Sequence, residues 1–166
     1  FTLANVENDP KNTINKKGLL VSSDNDISVY YEVLHSNNPD IFSLKGENAL
    51  GNEFYVVSQN QFQNHPYTST GQTQPVEHVD IVATEDNTQI TIVPSVDISG
   101  STAGTVITAG TTITVTLNKG QTYGIVANSS SATVSLMGTH IVSNKPIAVT
   151  TSDDSIDQFT SGSGSW

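Results

Sequence analysis

Apolar residues along this chain recur at every second position in short runs. Val79, Ile81 and Ala83 alternate with polar neighbours, as do Ile90 with Ile92 and Ile113 with Val115 and Leu117. A period of two puts one set of side chains on a single face of an extended strand, so each run predicts a half-buried β-strand. Further strands are predicted over 14–23, 27–34, 53–58, 105–108, 121–127 and 132–137. Asn, Asp, Gly and Ser clusters separate them and supply turns. No segment carries the 3.6-residue period of a helix. The pattern predicts an all-β chain, an antiparallel β-sandwich of about ten short strands.

One pattern occurs twice. Gly18, Val21, Ser23, Ile27 and Val29 are spaced like Gly138, Ile141, Ser143, Ile147 and Val149, at an offset of 120 residues. In each copy a polar break, Asp24-Asn25-Asp26 or Asn144-Lys145-Pro146, sits where a tight turn would fall. Both copies are predicted to be hairpins and equivalent elements of the sandwich. The strand pattern stops after Ser152, which divides the chain into a β-sandwich domain over 1–152 and a flexible or docking tail over 153–166.

Composition narrows the function. The chain of 166 residues has a net charge of −10, no arginine and six lysines. So sparse a set of cations cannot track a phosphate backbone, which argues against nucleic acid as a partner. The absence of cysteine removes disulfides and thiolate metal sites. No apolar run reaches the roughly 18 residues of a membrane helix, so direct membrane insertion is not expected.

Catalytic signatures are missing. His35, His65, His78 and His140 stand in no two-His metal spacing, and no Gly-x-Ser-x-Gly elbow is present. His78 and His140 alternate with inward positions and are expected to face solvent. The weak calcium candidates are the acidic turn residues Asp153, Asp154 and Asp157, since carboxylates are hard-cation ligands; no other cofactor is expected. The row Thr112, Thr114 and Thr116 reads as the solvent face of a strand. Residues 59–75 form the longest polar segment, and a loop of that length inside a domain is often functional. Phe62, His65 and Tyr67 within it are the candidate binding residues, two rings able to stack on or anchor a partner beside an imidazole.

Five segments in order resemble the IgG-Fc-binding protein N-terminal domain family. They are residues 27–32 (Ile-Ser-Val-Tyr-Tyr-Glu), 40–51 with Glu53-Phe54-Tyr55, 82–92, 117–123 and 138–143 (Gly-Thr-His-Ile-Val-Ser). The resemblance covers almost the whole chain, and the lack of cysteine is similar to the family's bacterial surface and gliding-associated branch. It implies an extracellular protein, at the cell surface or secreted, with no enzymatic activity and no catalytic residues to carry across. It also implies that the domain continues beyond the tail. The function expected is therefore a non-catalytic adhesion or ligand-binding module of a large bacterial surface protein, with a protein or glycan ligand. The alternative is a structural spacer or assembly subunit of a surface fibre or of a gliding-motility or type IX secretion apparatus, packed against neighbouring domains or copies. A motif-less carbohydrate-active enzyme ranks last.

Overall fold

A computed structural model describes residues 7–33, 40–66 and 73–157. Within them the chain forms strands β1 (Ile14–Asn15), β2 (Tyr30–Val33), β3 (Asp40–Ser43), β4 (Gly51–Tyr55), β5 (Gln63–Asn64), β6 (Glu77–Ala83) and β7 (Thr88–Val93). They continue as β8 (Ile98–Ser99), β9 (Val106–Ile107), β10 (Ile113–Leu117), β11 (Thr122–Val126), β12 (His140–Asp153) and β13 (Ile156–Asp157). One turn of 3₁₀ helix, Gly46–Ala49, precedes β4. The chain is all-β and antiparallel, as its alternation predicts.

Seven strands make the main sheet, in the order β1-β11-β6-β12-β7-β10, with β4 paired to β12 as well. The registers show how it closes. β12 pairs with β7 through residues 140–143 and with β6 through residues 147–153, while β4 runs along its other side. β6 and β7 therefore lie end to end beside β12. β11 and β10 lie end to end beside β6 and β7 in the same way. Three chain passes thus share one interruption line, at 84–87, 118–121 and 144–146, where the sheet doubles over. One half is β1-β11-β6 with the end of β12; the other is β4, the start of β12, β7 and β10. A strand that bends from one layer into the next is the usual way a sandwich makes its corner.

The fold line is held by polar groups. Asn118 Oδ1 accepts from the Asn87 amide at 3.1 Å and Asn144 Oδ1 from the Gln89 amide at 2.8 Å. Asp86 Oδ1 accepts from the Lys119 amide at 2.9 Å, and Lys145 Nζ donates to the Asp86 carbonyl at 2.6 Å. Inside the fold most of the predicted inward residues form one core, with Ile113 and Val115 partly buried against it, while the 27–34 run, expected to be half-buried, is largely exposed. Val79, Ile81, Ile90, Ile92, Leu117, Ile125, Ile141 and Ile147 are all fully buried, joined by Ile98 and Leu136. Burying a branched aliphatic side chain is worth about 1.5–3 kcal/mol, so these residues carry most of the stabilisation.

The repeated hairpin is not there. Residues 138–149 enter a single bent strand, β12, which pairs with β4, β6 and β7 and not with itself. Asn144, Lys145 and Pro146 have turn chemistry, but the flanking segments find ladders on both sides. Those ladders satisfy more backbone groups than a local hairpin would, so the turn becomes a bend and a register shift relative to β4. Residues 16–29 form no strand, and β2 pairs forward with β3. The two copies share spacing and not structure. Residues 132–137, expected as a strand, are turns and irregular chain.

Residues 7–15 cross the outer face of β6 and β11 as a strap. Asn8 donates to Asp80 Oδ1 at 2.7 Å and accepts from Thr122 Oγ1 at 2.8 Å, while Lys11 Nζ reaches Asp80 at 3.0 Å. Gly124 makes room: a Cβ there would lie 2.5 Å from Asp80 Oδ1 and 2.9 Å from Asn8 Nδ2. One outer face of the sandwich is covered by its own chain.

Candidate functional site

The 59–66 part of the polar loop is built around two side-chain amides. Gln59 Oε1 accepts from the amides of Gln61 and Phe62 at 2.9 and 2.8 Å, and its Nε2 donates to the Phe62 carbonyl at 2.8 Å. Gln59 Nε2 also donates to Asp153 Oδ2 at 2.8 Å, and buried Asn64 donates to Asp153 Oδ1 at 2.6 Å. Gln63 and Asn64 then pair with Asp157 and Ile156, fastening the loop to the segment that leaves β12. Phe62 is half-buried on this turn and His65 is exposed; Tyr67 lies outside the described residues.

The same contacts give Asp153 a use. Both of its carboxylate oxygens accept amide hydrogens, so it clasps the loop to the end of β12. Asp154 Oδ1 accepts from Ser155 Oγ at 3.1 Å. Among the described residues no three His, Asp or Glu side chains are grouped to hold a metal ion.

Glu77 is the most enclosed acid. It is 4% exposed, accepts from Ser58 Oγ at 2.8 Å and Ser135 Oγ at 3.1 Å, and also takes the Leu136 amide hydrogen. Three donors fill its oxygens, so it joins three segments of chain and offers no free atom to a substrate. His78, next to it on the outward side of β6, is held neutral below its ordinary pKa of 6.5, first by burial and then by Lys11. Asp80, Asp154 and Asp9 oppose that shift.

Among the described residues no segment straps the other outer face, across β4, β12, β7 and β10. Its rows follow from the registers. Tyr55 stands beside His140 and Val93, and Glu53 beside Val142, Thr91 and Thr114. Gln89 and Thr116 continue the face toward the fold line. Thr112, Thr114 and Thr116 are exposed along β10, on the solvent face as expected. At the β4 edge the Tyr55 and His140 rings stack at 4.4 Å and 9°. His140 Nε2 donates to Glu53 Oε1 at 2.8 Å, which fixes the imidazole plane and leaves Tyr55 62% exposed. His140 is thus outward, as alternation predicts, but packed on a ring.

This arrangement can present a flat surface with one rigid aromatic and one carboxylate. Such a surface can bind a partner through ring contact and a carboxylate. Sequence reading missed it because Tyr55 and His140 lie 85 positions apart and meet only through the β4–β12 register. Comparison with the curated proteins and with the solved structures found no match. Among the described residues no helix is long and apolar enough to cross a membrane. Residues 42–165 match the profile described as IgGFc binding protein, about three quarters of the chain. That family is a binding domain and not a known enzyme family. With an antiparallel β-sandwich, the order of motifs noted above and this match in agreement, the chain belongs to the IgGFc binding protein family.

Proposed function

We propose that this chain is a non-catalytic adhesion module of an extracellular surface protein, and that the uncovered face of β4, β12, β7 and β10 contacts its ligand. The observation that carries this reading is the Tyr55–His140 stack, fixed by Glu53 and exposed on regular strands. A tyrosine held in place gives contact area at little entropic cost, and its ring suits a protein loop or a sugar face. The family's own description favours a protein ligand. Phe62 and His65 on the clasped loop are a second contact in the same reading. The lack of cysteine is similar to the family's bacterial branch, and through that resemblance we read the chain as part of a bacterial surface protein of the kind tied to gliding and type IX secretion.

The test is a binding array of host proteins and glycans, probed with the parent chain and with Tyr55→Ala and Thr114→Lys. Ligands of the parent should lose about tenfold or more in affinity with either variant, because a central aromatic anchor is worth about 2 kcal/mol. Melting should be unchanged, since both side chains are exposed. Ligands retained equally by both variants would move the site elsewhere.

A further inference from the structure

We propose that the β2–β3 arm is a second docking surface, which takes up an extended segment of another protein with basic and apolar residues two positions apart. β2 and β3 pair with each other and with no other described strand; the Leu44 amide to Val29 carbonyl bond, 2.9 Å, prolongs the pair. Every residue of both strands is exposed. Tyr30 and Ile41 are 64% and 61% exposed, and the Tyr31 and Phe42 rings pack tilted, with centroids 5.0 Å apart. A lone two-stranded hairpin is marginal in water, and an edge with open amides and carbonyls invites a third strand.

Charge decides what that strand carries. The register places Glu32 opposite Ile41 and Asp40 opposite Val33, so each face of the arm bears one carboxylate among apolar groups. Asp24 and Asp26 on the approach to the arm are exposed as well. A second copy added at this edge would bring no cation to either face, since β2 and β3 contain neither Lys nor Arg, and both carboxylates would stay unpaired. It would also bring two chains of charge −10 together. A strand with Lys or Arg two residues from Val, Ile or Tyr puts cation and apolar group on one face. There it meets Asp40 with Phe42, or Glu32 with Tyr30. Main-chain hydrogen bonds give such strand addition its affinity, and the alternating side chains give it selectivity.

This surface shares no residue with the Tyr55 face, so each can fail without the other. The probe is a short fluorescent peptide repeating Lys-Thr-Val-Thr, which sets Lys and Val two residues apart on one face, with a Glu-Thr-Val-Thr peptide as the Glu–Val counterpart, titrated into the full chain by anisotropy. The Lys–Val peptide should bind, and raising the salt from roughly 0.05 to 0.5 M should weaken it. The variant Glu32→Lys/Asp40→Lys should bind about tenfold or more weakly, while Glu7→Lys/Glu85→Lys, of the same net charge, binds like the parent. Y55A should also bind like the parent. The proposal is overturned if neither peptide binds, if both bind equally, or if the arm and control variants lose affinity alike. A parent chain that sediments as a dimer broken by Tyr31→Ala/Phe42→Ala would overturn it in favour of a second copy.

Discussion

Glu77 and His78 are neighbours in sequence with opposite duties. Glu77 points into the fold, and its carboxylate satisfies Ser58, Ser135 and the Leu136 amide. Glu77→Ala leaves those donors buried without an acceptor and should cost about 2–4 kcal/mol, read from urea unfolding. His78 points outward under the strap, and its pKa lies below 6.5 because burial disfavours the charged ring, with Lys11 adding to the effect. The unfolded chain therefore takes up the proton first. Stability from His78 is full above pH 6.5 and declines as pH falls from there through the folded-state pKa. His78→Gln should flatten that part of a melting-temperature profile measured from about pH 8 to about pH 5. An unchanged profile would show that other groups carry the acid sensitivity.

At the scale of elements β12 governs the fold. It lies between β4 and β7 in one half and pairs with β6 in the other, with Ile141 and Ile147 fully buried on either side of the bend. Ile141→Ala and Ile147→Ala should each cost about 2–5 kcal/mol by urea unfolding, as core truncations do. Val142→Ala, on the outer face between them, should stay within about 0.5 kcal/mol. The root of the β2–β3 arm is set more locally. Gly18 donates its amide to the Gly120 carbonyl at 3.1 Å, and a Cβ on Gly18 would lie 2.6 Å from that oxygen. Gly18→Val must push backbone from backbone. Hydrogen exchange should show residue 18 losing protection while the β6 and β7 amides keep theirs.

For the whole molecule the two outer faces have different fates. The β6–β11 face is closed by residues 7–15, while no described segment crosses the β4–β12–β7–β10 face, which is why the ligand surface is proposed there. The segment after β12 acts over a similar range, since Asp153 and β13 together fasten the 59–66 loop. We expect residues 154–166 to be a docking element and not a passive linker. A chain ending at Asp153 should melt several degrees lower than the parent, and the amides of Gln63 and Asn64 should exchange faster. Equal melting and equal exchange would make the segment a linker.

Fold class was legible because alternation is a local property: Val79, Ile81, Ala83, Ile90, Ile92 and Leu117 show their burial in their spacing alone. The same holds for the solvent-facing threonines of β10, and five ordered motifs were enough to indicate the family. Asn144-Lys145-Pro146 shows where locality ends. Its turn chemistry is real, but whether it closes a hairpin or bends a strand depends on whether distant chain offers better partners, and β4, β6 and β7 do. The binding face depends on tertiary structure for the same reason. Tyr55, His140 and Glu53 carry no shared spacing, and only the register of β4 on β12 makes them one surface. A strand's period says which side chains share a face, while pairing between strands says which faces become one site.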